Sequence, residues 1–60
     1  MNGTMQFRDK TIAVINAIEH TQGTRNGWLA SDEFMTSVGH SPRETQMFYP
    51  ADMFTFTPNV

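Results

Sequence analysis

Sixty residues with no cysteine and a net charge of −2 make a small acidic chain in which disulfides and thiolate metal sites are excluded. The longest aliphatic run, Ile12-Ala13-Val14-Ile15, falls far short of the roughly 20 apolar residues that a membrane-spanning helix needs. Arg8, Lys10, Arg25 and Arg43 are dispersed, whereas a nucleic-acid binder shows a basic stripe.

A chain of this size buries about 60% of its unfolded surface, so it forms one marginal domain, 1–60, that leans on packing or on a partner. Met1-Asn2-Gly3-Thr4 carries neither a basic nor an apolar leader region, which leads us to expect a cytoplasmic protein.

The first expected element is a helix over residues 5–21. Phe7, Val14 and Ile18 share one helical stripe, Thr4 is placed to cap it, and Gly23 to stop it. The segment 21–27 reads as a polar loop with Asn26-Gly27 as its turn, and Trp28-Leu29-Ala30 as a short extended stretch. Ser31 then caps a second helix over 32–38, with Asp32 and Glu33 at its positive end and Phe34, Met35 and Val38 on its apolar face. Gly39 closes it. Ser41 and Glu44 have the spacing of a reciprocal capping box around Pro42, which predicts a third helix over 42–48.

Tyr49-Pro50-Ala51-Asp52 reads as a turn with proline second. Residues 53–57 alternate, with Phe54 and Phe56 on one side and Thr55 and Thr57 on the other, which predicts a strand. Its pairing partner is expected from Gly27-Trp28-Leu29 or from another molecule. The expected fold is therefore mainly α: three short helices and one C-terminal strand, with residues 50–60 as an aromatic arm.

This order, with Phe34, Val38, Gly39 and Ser41-Pro42 at its centre, resembles a truncated winged helix-turn-helix domain. The resemblance implies a DNA-binding regulator whose third helix presents Arg43 and Gln46 to bases. The scattered cations argue against that use, because duplex affinity rests on phosphate neutralisation.

No catalytic constellation stands out. His20 and His40 are too far apart in sequence for a metal-ligand pair, and Glu19-His20 are adjacent residues that diverge. Neither a metal, a cofactor nor enzymatic activity is expected. The aromatic and methionine residues carry the functional expectation: Trp28, Met47, Phe48, Tyr49, Met53, Phe54 and Phe56 are candidate protein-binding residues. They suggest a protein–protein interaction module, either an accessory subunit or a phage-like inhibitor docking on a larger target. A self-assembling structural subunit is the further alternative.

Overall fold

A computed structural model describes residues 1–59 and contains a five-stranded antiparallel sheet in the order β4-β3-β2-β1-β5. The strands are β1 (Gly3–Phe7), β2 (Lys10–Gln22), β3 (Arg25–Asp32), β4 (Gln46–Pro50) and β5 (Thr55–Pro58). One short helix, α1 (Glu33–Ser37), lies between β3 and β4. The expected mainly α, helix-turn-helix-like fold is therefore overturned: residues 5–21 contribute to two strands, and 42–48 form a turn followed by the start of β4.

The physical reason lies in β2. Thr11, Ile12, Val14, Ile15, Ile18 and Thr21 are β-branched, which restricts their side chains in a helix and suits a pleated surface. A bulge conceals the strand alternation. The β2–β3 ladder slips by one residue between Ile15 and Ile18, and Asn16 adopts the left-handed region at φ 56°. Asparagine tolerates that conformation better than most side chains. Asn2 Oδ1 accepts from the Asn16 N–H at 3.3 Å, and Met1 and Ala17 exchange main-chain bonds at 2.7 and 3.2 Å. Ile12 and Val14 point inward before the bulge, and Ala17 points inward after it, so Ile18 is turned outward and is 54% exposed. The expected burial of Ile18 with Phe7 and Val14 is thus incorrect. Residues 14 and 18 match both a helical stripe and a regular strand, and the inserted residue breaks the second match.

Two-residue hairpins join β1 to β2 through Arg8-Asp9 and β2 to β3 through Gly23-Thr24. Gly23 has φ 64° and serves the second hairpin rather than a helix end. Asn26-Gly27 lies inside β3, not in a turn. A Cβ on Gly27 would collide with the Tyr49 carbonyl oxygen, so the close approach of β4 requires glycine there.

Asp32, not Ser31, caps α1, its carboxylate accepting from the N–H groups of Phe34 and Met35 at 2.8 and 3.3 Å. Ser31 is buried instead, and its hydroxyl donates to the Pro42 carbonyl at 2.7 Å, tying the 41–45 segment to β3. Phe34 and Val38, expected as core positions, are 68% and 57% exposed. The Ser41 and Glu44 capping box is present, with Ser41 N–H to Glu44 Oε2 at 3.1 Å and Glu44 N–H to Ser41 Oγ at 3.2 Å. It closes a single turn at 42–45 rather than opening a helix.

Of the expected 53–57 strand only residues 55–57 lie in β5, because Met53 belongs to the preceding turn, and the strand pairs with β1 rather than with Gly27-Trp28-Leu29. The turn before it follows Pro50, whose carbonyl accepts from the N–H groups of Met53 and Phe54 at 3.1 and 2.9 Å. Met5, Val14, Ala17, Ala30 and Tyr49 form the buried core, with Ile12, Trp28, Phe54 and Phe56 packed against it.

Candidate functional site

The seven aromatic and methionine residues singled out in the sequence divide into two groups. Trp28, Tyr49, Phe54 and Phe56 line the inside of the sheet. Trp28 and Phe56 have ring centroids 4.7 Å apart, Tyr49 and Phe54 meet edge-to-face at 5.0 Å, and Phe7 adds a contact with Phe54 at 5.4 Å. In a flat sheet β3 and β5, three positions apart, would be separated by about 14 Å. The 4.7 Å separation of Trp28 and Phe56 therefore requires the sheet to curl, and the rings fill its concave side. As candidate binding residues these four are better accounted for as the aromatic seam that holds the curled sheet together.

Met47, Phe48 and Met53 stand outside that seam. Met47 shares the face of Ala30 and Tyr49 but is 58% exposed at the free edge of β4. Met53 sits in the turn before β5, where the Arg25 guanidinium reaches both its sulfur at 3.5 Å and the Asp52 carboxylate at 3.1 Å. Phe48 belongs to the outer face. Its cross-strand partner on β3 is Leu29, whose partner on β2 is Ile18. Directly opposed residues project from the same face, so Ile18, Leu29 and Phe48 form one apolar row across three strands. His20, next but one along β2, places its ring edge-on to Phe48 at 5.7 Å.

Ile18 and Leu29 were not among the candidates read from sequence. Leu29 alternates with Trp28 and Ala30, which marks it as facing away from them once the segment is known to be a strand. Ile18 carries no such signal, because only the bulge turns it outward.

The residues expected to read DNA bases do not share a helix. Arg43 lies exposed in the 42–45 turn and Gln46 opens β4. Of the other cations, Arg8 sits over the Phe7 ring at 5.2 Å and Arg25 pairs with Asp52 at 3.1 Å.

An open cleft of about 560 Å³ lies at the β2–β3 hairpin, with Glu19, Thr21, Asn26, Trp28 and Ala51 among its walls. Thr21 Oγ1 donates to Asn26 Oδ1 at 3.0 Å across it. Glu19 and His20 are successive strand residues and project to opposite faces, so they form no acid–base pair. Among the described residues no group of three His, Cys, Asp or Glu side chains is placed to hold a metal ion. No helix of the described chain is long and apolar enough to cross a membrane.

One titration is displaced. Burial of Tyr49, and secondarily the Asp32 carboxylate, raise its phenol above the ordinary value of 10.0. No family model, characterised protein or solved structure matches this chain.

Proposed function

We propose that this chain is a small protein-binding module, an accessory subunit or an inhibitor, that docks on a larger protein through the outer row of Ile18, Leu29 and Phe48. The observation that carries this reading is the exposure of Ile18, 54%, at one end of a continuous cross-strand apolar row. Ile18 is exposed while Leu29 and Phe48 beside it are half-buried, and apolar side chains that reach the surface together are the usual material of protein contacts.

The charge distribution favours a protein over a nucleic acid. The row contains no cation; Arg8 and Lys10 share the β1–β2 hairpin, and Arg25 and Arg43 sit apart from them and from each other. A duplex would meet no surface able to neutralise several phosphates together.

A photo-crosslinking amino acid placed at Ile18, and separately at Asp9 in the β1–β2 hairpin, tests the reading in extract from the chain's own source. The expected result is one discrete adduct from position 18 that excess unlabelled chain competes away, and none from position 9. Identical adducts from both positions, or none from position 18, would contradict it.

A further inference from the structure

We infer that a second copy of this chain pairs antiparallel along the free edge of β4, with Met47 on the twofold axis.

The main-chain pattern at that edge is fixed by one bond beyond the strand. Ala51 N–H donates to the Asn26 carbonyl at 2.9 Å, in the same register as the β3–β4 ladder. Pairs in an antiparallel ladder alternate between hydrogen-bonded and non-hydrogen-bonded. Trp28–Tyr49 and Ala30–Met47 are therefore the bonded pairs, while Gln46, Phe48 and Pro50 aim their main-chain groups away from β3. Pro50 has no N–H to offer, and its carbonyl is taken by Met53 and Phe54. What remains on the edge is the N–H and the carbonyl of Gln46 and of Phe48.

The opposite edge of the sheet offers less by the same logic, one residue with both groups instead of two. Asn59 N–H donates to the Asn2 carbonyl at 3.0 Å, so on β5 only Phe56 and Pro58 face outward, and Pro58 has no N–H. Each edge ends in an outward proline, Pro50 on β4 and Pro58 on β5, but β4 has both Gln46 and Phe48 free before it while β5 has Phe56 alone.

The β4 edge is complementary to itself in one register. With Met47 opposite its own copy, each Gln46 pairs with Phe48 of the second copy, and all the outward N–H and carbonyl groups of both chains are satisfied. Shifting the axis to Phe48 sets Gln46 against Pro50, which has no N–H. Shifting it to Gln46 sets Phe48 against Glu44 in the 42–45 turn. A twofold, isologous contact is the commonest form of protein self-association.

The side chains agree with this register. Met47, 58% exposed in the single chain, is covered by its own copy. Phe48 and its copy become diagonal neighbours on the outer face, within reach of one another. The two Ile18-Leu29-Phe48 rows then join into a longer strip. The flanking turns carry Arg43 and Glu44 together and add no net charge. The pairing does not depend on the docking of a larger target described above.

Sedimentation of the whole chain across a micromolar-to-millimolar series tests the pairing, alongside Met47→Lys and Val38→Lys. The wild type is expected to double its mass from 6.8 kDa as concentration rises. Met47→Lys, which sets like charges across the axis, is expected to stay monomeric throughout. Val38→Lys, an equally exposed site at the end of α1, is expected to dimerise as the wild type does. A wild type that remains monomeric, a Met47→Lys chain that dimerises normally, or loss of dimer in Val38→Lys would each overturn the proposal. Amide exchange in the unaltered chain gives a reading independent of any variant. The Gln46 and Phe48 N–H groups should slow at high concentration, and rates that do not change would contradict the pairing. Protection of those amides only on addition of cell extract would assign the edge to a strand of another protein and would equally overturn self-pairing.

Discussion

Trp28 and Leu29 are neighbours on β3, yet Trp28 turns inward onto Phe56 at 4.7 Å while Leu29 turns outward between Ile18 and Phe48. The same division runs through β4, where Tyr49 is buried and the adjacent Phe48 lies on the outer face. Residue type does not separate the two groups. Strand parity does, and one bulge resets it. The inner group closes a curled sheet in a chain too short to build a second layer. The outer group contributes little to that closure, which leaves it free to serve a contact.

The comparison breaks most severely if an inner residue is removed. Tyr49→Ala takes away a 3% exposed ring that joins the core to Phe54, and it should cost about 3–5 kcal/mol. That is a large part of the stability available to a small domain. Chemical denaturation should show little or no folded baseline for this variant.

Asn16 sets which residues belong to which group, and it sharpens the comparison at an intermediate cost. Asn16→Val forces a β-branched side chain to φ 56° and should destabilise by about 1–2 kcal/mol, whereas Asn16→Gly should be nearly neutral. Equal losses for the two variants, measured by thermal melting, would mean that the bulge does not hold the left-handed conformation.

A smaller effect is expected at alkaline pH. The Tyr49 phenol titrates above 10.0 in the folded chain, and an unfolded tyrosine titrates near that value. Below it both states keep the proton and the group leaves stability unchanged with pH. Above it the unfolded state loses its proton first, so stability should fall as pH rises from about 10 through the folded value. Tyr49 is the chain's single tyrosine, and Tyr49→Phe should flatten this limb in pH-dependent unfolding curves.

The smallest stability effect belongs to the outer row. Ile18→Thr keeps the β-branch of an exposed strand residue and should change stability by no more than about 0.5 kcal/mol. The crosslinked adduct expected from this face should nevertheless be lost when the crosslinker is placed at Leu29 of the Ile18→Thr chain.

The legible parts of the fold were those written locally. The alternation of Phe54, Thr55, Phe56 and Thr57 needs no tertiary information, and β5 follows from it. The Ser41 and Glu44 bonds likewise depend on residues three apart, although what they close is a turn. Trp28 does meet Phe56, but not through the expected pairing of the arm with Gly27-Trp28-Leu29, since β1 supplies the ladder. The β1–β2 hairpin was hidden because Arg8-Asp9 is not a usual turn dipeptide and Arg8 takes φ 56° without being glycine. The candidate site was half visible. Met47 and Phe48 could be singled out by type, but Ile18 could be placed outside only by knowing the bulge, and the aromatic residues nearest the C-terminus were claimed by the core.

Paramagnetic solvent relaxation of the methyl groups tests the division between the two faces most directly, because it reads both in one sample. The methyls of Met5 and Val14 should be nearly unaffected by a soluble relaxation agent, while those of Ile18 should relax strongly. An Ile18 methyl as protected as that of Val14 at low protein concentration would contradict the bulge, the outward row and the contact surface built on it.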